Sequence, residues 1–156
     1  MENFNFFNPT EIIFGKDREN EVGGAVLKYG KKVLLHYGGG CIKKSGLYDR
    51  VIRSLNEHGV SFVELPGVQP NPRLSLVRRG IELCKKENID FILAVGGGSV
   101  IDCCKVISAQ ALLDEDIWEM EYGKGQFPNA GIRAPAAPPA APAHPPSRTT
   151  GRNPPE

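Results

Sequence analysis

From Glu11 to Leu113, short apolar runs rich in β-branched residues alternate with longer stretches of helical period. That alternation is the sequence form of a parallel sheet covered by helices. Strands are predicted at Glu11–Phe14, Lys32–Tyr37, Ser61–Leu65 and Asp90–Val95. Between them, Leu47, Val51, Ile52 and Leu55 recur at helical spacing, as do Leu74, Val77, Ile81 and Cys84. Each set lays one apolar stripe along a helix. His58-Gly59 and Lys86-Glu87-Asn88 close these helices, and Gly59 is free to adopt the left-handed cap conformation. The stretch Val100–Leu113 is apolar on nearly every side, which predicts a buried helix. The fold class expected is α/β, a parallel sheet flanked by helices.

After Trp118 the pattern fades, and eight of the thirteen prolines fall between Gly131 and Glu156. Proline removes amide donors and blocks helix and sheet interiors. The expected organisation is an α/β domain over residues 1–130 and an extended or disordered Pro/Ala-rich tail over 131–156. Such a tail suits grooves that bind polyproline. Its abrupt Ala-Pro-Arg composition fits better with a shifted reading frame of GC-rich DNA.

Nineteen basic residues face eighteen acidic ones, for a formal charge of +1. No cationic surplus is present for a phosphate backbone, so nucleic acid is not an expected partner. The run Phe91–Val95 is far shorter than the roughly 20 residues of a membrane span, so no membrane partner is expected either. Four cysteines form no CxxC pair, and the start Met-Glu-Asn-Phe lacks the regions of a secretory signal. A reducing, cytoplasmic setting is expected.

Candidate chemistry gathers at two glycine triplets, Gly38-Gly39-Gly40 and Gly96-Gly97-Gly98, each where a strand gives way to a helix. Glycine lets a backbone approach a phosphate, and the amides and positive end of the next helix hold the anion. Neither triplet is the usual dinucleotide fingerprint, because Lys43 and Ile101 stand where its third glycine falls. A tight turn without a ligand is the alternative for either triplet alone. Ser99 is placed to cap the second helix, and Asp102, one turn in, to orient the loop or accept a ligand hydroxyl. Lys105 is placed to pair with Asp102 or reach a phosphate. The vicinal Cys103-Cys104 reads as core packing.

Five motifs occur in order: Phe-Asn-Pro-Thr-Glu-Ile-Ile-Phe-Gly (7–15), Lys-Lys-Val-Leu-Leu-His-Tyr-Gly-Gly-Gly (31–40), Ile-Lys-Lys-Ser-Gly-Leu-Tyr-Asp (42–49), Pro-Asn-Pro (70–72) and Ala-Val-Gly-Gly-Gly-Ser-Val-Ile-Asp (94–102). Together with Trp118 and Gly123-Lys124-Gly125, they make residues 4–130 resemble the iron-containing (group III) alcohol dehydrogenases, in particular the butanol dehydrogenase-like branch. Glycerol dehydrogenase and dehydroquinate synthase relatives share Gly-Gly-Gly-Ser, Asp102 and Lys105, but the Phe-Asn-Pro-Thr start and Pro-Asn-Pro argue against them.

The resemblance implies the Rossmann-like first domain of that fold and an NAD(P)-dependent interconversion of small primary alcohols and aldehydes, in a protein that is a homodimer when intact. Gly96, Gly97, Gly98, Ser99 and Asp102 would then cradle the pyrophosphate and nearby ribose, and Asn71 would line the cleft. Gly38, Gly39 and Cys41 would border the adenosine ribose, Cys41 standing where the branch usually has serine. With no carboxylate after that strand, and Lys43 and Lys44 close by, NADP is favoured over NAD. The resemblance also implies iron or zinc, bound by one aspartate and three histidines of a helical domain that cannot be placed in this chain. His36, His58 and His144 have no ligand spacing, so neither metal-ligating nor catalytic residues are assigned. The expectation is a dehydrogenase cut off inside its first domain and inactive as it stands; a non-catalytic nucleotide-binding or interaction module is the alternative.

Overall fold

The computed structural model describes residues 10–71, 73–114, 116, 118, 119, 132 and 136–137. The run Lys32–Tyr37 forms β1 and is buried from Val33 onward, while all of Phe91–Val95, which forms β3, is buried. Strands covered on both faces favour near-continuous apolar runs over alternation, and in β1 the buried His36 is the one polar interruption after Lys32. Ser61–Leu65 forms β2 and Ala136–Ala137 forms β4. The sheet is parallel in the order β2-β1-β3-β4, with Lys32 opposite Ser61 and Tyr37 opposite Val95.

The helices are α1 (Val22–Leu27), α2 (Cys41–Lys44), α3 (Leu47–Glu57), α4 (Leu74–Glu87) and α5 (Gly98–Gln110), with a short 3-10 turn at Arg18–Glu21. Val33, Leu35, Tyr37, Phe91, Leu93 and Val95 point to one face and join Leu47, Val51 and Leu55 of α3. Leu34, Ile92 and Ala94 point to the other and join Val77 of α4 and Cys104 and Ile107 of α5. The crossover from β1 to β2 therefore covers one face, and the crossover from β2 to β3 covers the other. Gly59 (φ 65°) and Asn88 (φ 51°) take the left-handed conformation that stops α3 and α4, as the sequence predicts.

Four expectations change. Glu11–Phe14 is not a strand: it finds no ladder partner among the described residues, and Ile12 and Phe14 are exposed. Helix α5 ends at Gln110 rather than Leu113. Helix α1 has no counterpart in the apolar pattern because Gly23-Gly24 breaks its stripe. A Cβ on Gly23 would collide with the Ser54 carbonyl, so the glycine is what lets α1 lie against α3. The sheet also continues beyond residue 130. Ala136 and Ala137 pair with Ala94 and Val95, and the Ile132 amide donates to Ser108 O at 3.0 Å. Proline neighbours are compatible with a two-residue edge strand. The rest of the expected tail, His144 and Gly123-Lys124-Gly125 lie outside the described residues.

Candidate functional site

Strands β1 and β3 are neighbours in register, so the residues that follow them, Gly38 and Gly96, emerge side by side from the carboxyl edge of the sheet. From β1 the chain turns towards β2, and from β3 it turns towards β4. The gap between such divergent connections is where open α/β sheets bind ligands. The loop after β2 closes over the same edge. The Gly67 amide, at φ 99°, donates to Tyr37 O (3.1 Å) and Gly38 O (3.2 Å), and the Val68 amide to Tyr37 O (3.3 Å). Asn71 follows in this loop, exposed and left-handed at φ 57°. The structure thus brings Gly38, Gly39, Gly96, Gly97 and Gly98 to one edge, with the loop that carries Asn71 bound to Gly38.

Backbone strain does not explain these glycines, since none of Gly38, Gly39, Gly40, Gly96, Gly97 and Gly98 has a positive φ. Gly96 has a packing reason, because a Cβ there would run into the Val100 side chain. Gly38 is close-fitting but not excluded: a Cβ would lie 3.4 Å from Val68 O and 4.0 Å from Val100 Cγ2. At Gly39, Gly40, Gly97 and Gly98 a Cβ would meet no described residue within 4 Å. Space that the described residues leave open where side chains would fit suits close approach by another molecule.

Helix α5 points its amino end at this space. Val100 and Ile101 donate the first helical hydrogen bonds to Gly97 O (3.0 and 3.2 Å), so the amides of Gly98 and Ser99 lie ahead of the ladder. No acidic residue occupies the first turn to offset the positive end of the helix dipole. An anion is the ligand this arrangement attracts. Ser99 does not cap the helix as expected; the cap position is Gly97, which leaves Ser99 inside the first turn. Asp102 is exposed, and Lys105 Nζ lies 3.5 Å from its Oδ1, the pairing expected at this spacing.

Cys41 is exposed at the start of α2. Two residues on, the Lys43 ammonium lies 4.6 Å from the Tyr48 ring centroid and 5.7 Å from that of Tyr37. Both phenols donate to Glu64, Tyr37 at 2.5 Å and Tyr48 at 2.8 Å. Burial and the Glu64 carboxylate raise both phenol pKa values, so the hydroxyls stay protonated as donors. Sequence reading missed this cluster because its members come from β1, α2, α3 and β2.

The buried thiols and His36 serve packing. Burial pushes the Cys84 and Cys103 thiols up to about 12 and about 11, which leaves them protonated. His36 is fully buried; its Nδ1 lies 2.7 Å from Leu65 O, and Nε2 has no partner among the described residues. Among the described residues, no group of three or more His, Cys, Asp or Glu is placed to hold a metal ion, and no helix is long and apolar enough to cross a membrane.

A model of the iron-containing alcohol dehydrogenase family matches residues 9–141. The chain is 54% identical over 126 residues to the probable NADH-dependent butanol dehydrogenase 1 of Bacillus subtilis, covering 81% of this chain and 33% of that protein. It is 38% identical over 123 residues to the NADPH-dependent aldehyde reductase YqhD of Escherichia coli, covering 75% of this chain and 30% of that one. The crystal structure of NADH-dependent butanol dehydrogenase A from Thermotoga maritima superposes with a TM-score of 0.79 at 46% identity, over 88% of this chain and 34% of that chain. The chain thus spans about a third of the length of these relatives.

Proposed function

Because this chain belongs to the iron-containing alcohol dehydrogenase family, we propose that it is the nicotinamide dinucleotide-binding part of an enzyme that interconverts small primary alcohols and aldehydes in the cytoplasm. The observation that carries the reading is the pair of glycine turns at the divergence of β1 and β3, open where four Cβ atoms would fit. Gly97, Gly98 and the Ser99 amide receive the pyrophosphate at the amino end of α5, and Asp102 accepts a ribose hydroxyl. Gly38, Gly39 and Cys41 border the adenosine ribose, and the Gly67–Asn71 loop forms the side of the cleft. When bound, the dinucleotide supplies the hydride acceptor or donor for the alcohol and aldehyde pair. The family name carries iron; the described residues hold no ligand set that fits it.

No carboxylate occurs from Gly38 to Ser45, so a 2′-phosphate meets no repulsion on this loop, and NADP is accepted alongside NAD. Calorimetric titration of the chain with NAD⁺ and with NADP⁺ tests the reading. Saturable one-to-one binding of both is expected, and Gly38→Asp should weaken NADP⁺ about tenfold while leaving NAD⁺ little changed. Heat indistinguishable from dilution for both dinucleotides contradicts the reading. An unchanged ratio after Gly38→Asp removes Gly38 from the ribose site.

A further inference from the structure

We propose that Tyr48 and Tyr37, anchored through Glu64, hold the Lys43 ammonium away from the nucleotide cleft and thereby tilt the choice of dinucleotide towards NAD. The inference rests on the reading of the glycine turns as a dinucleotide site. Lys43 lies three residues beyond Gly40, close enough along the chain for its long side chain to serve a 2′-phosphate on that loop. Instead its Nζ sits over the Tyr48 and Tyr37 rings, 4.6 and 5.7 Å from their centroids. Tyr37 belongs to the core under α3, and Glu64 belongs to β2, on the far side of β1 from β3. The ammonium is therefore drawn towards the β2 edge, whereas the cleft opens between β1 and β3.

Two effects keep it there. Each ring attracts a cation through its quadrupole, and a phenol that donates to a carboxylate has a more electron-rich ring. The Glu64 charge, held by both hydroxyls, adds a Coulombic pull in the same direction. Tyr48 is thus a positioning residue acting through Lys43, and the lysine that the sequence offers to a 2′-phosphate is already engaged.

The test measures NAD⁺ and NADP⁺ affinities for the whole chain by calorimetry. Tyr48→Leu releases the ammonium and should raise NADP⁺ affinity about fivefold, with NAD⁺ affinity unchanged. Lys43→Gln alone, at an exposed position, should leave the ratio as it is, and added to Tyr48→Leu it should abolish the gain. Glu64→Gln, also at an exposed position, should shift the ratio in the same direction as Tyr48→Leu and serves if that variant does not fold. A merely structural role for Tyr48 would weaken both dinucleotides together and overturn the proposal. So would a loss of NADP⁺ affinity in Lys43→Gln, which would show the lysine already on the phosphate. In either case dinucleotide binding itself survives. If neither dinucleotide binds the unaltered chain, the site reading fails, and this inference fails with it.

Discussion

Gly96 and Gly97 are adjacent and have different reasons to be glycine. A Cβ at Gly96 meets Val100, whereas one at Gly97 meets no described residue. Gly96→Ala should therefore cost about 1–3 kcal/mol in urea denaturation, the range for overpacking a core. Gly97→Ala should change stability by less than about 1 kcal/mol yet weaken dinucleotide binding about tenfold or more. Equal effects of the two substitutions on stability would contradict this division of roles. His36 supplies a second test. Burial lowers its pKa, outweighing the hydrogen bond to Leu65 O, which acts the other way. As pH falls below the ordinary value of about 6.5, the unfolded chain takes up a proton that the folded chain resists, so stability should fall with acid. Comparing urea midpoints at pH 7 and pH 5 checks it: His36→Leu should flatten the slope, and an unchanged slope would place the acid sensitivity elsewhere. The turn positions of the glycines and the pairing of Asp102 with Lys105 are legible in the sequence because a strand-turn-helix pattern surrounds them. The Ser99 cap was misplaced by two positions, since the helix starts from Gly97.

Buried parallel strands and striped helices announce themselves through apolar periodicity, which is why β1, β2 and β3 match their expected bounds to within a residue and α3 and α4 run along the stripes that predict them. Elements stabilised by something other than an apolar run did not. Helix α1 holds through close contact: the Gly23 amide donates to Ser54 Oγ at 3.0 Å, and that hydroxyl donates to Asn20 O at 2.6 Å. Gly23→Ala should drive α1 off α3 and cost about 2 kcal/mol or more, and Ser54→Ala should cost about 1–2 kcal/mol by leaving the Gly23 amide unpaired. Urea midpoints of the two variants measure both, and neutral substitutions would show that α1 is not docked this way. The Glu11–Phe14 run carries β-branched residues without a ladder to join among the described residues, and β4 is two residues long, so local composition misleads in opposite directions.

At the scale of the molecule, the order β2-β1-β3-β4 places two weak glycine signals side by side, and neither would identify a nucleotide site alone. That adjacency was not legible in the sequence without the family resemblance, because strand order is a long-range property. The central claim, that the glycine turns of β1 and β3 form one dinucleotide cradle, is tested most directly by amide hydrogen exchange with and without saturating NADP⁺. Slower exchange is expected in residues 38–45, 66–71 and 96–102 together, with the Val22–Leu27 helix unaffected. Protection confined to one of the two glycine turns, or found only around Ile12, Phe14 and Leu27, would contradict it.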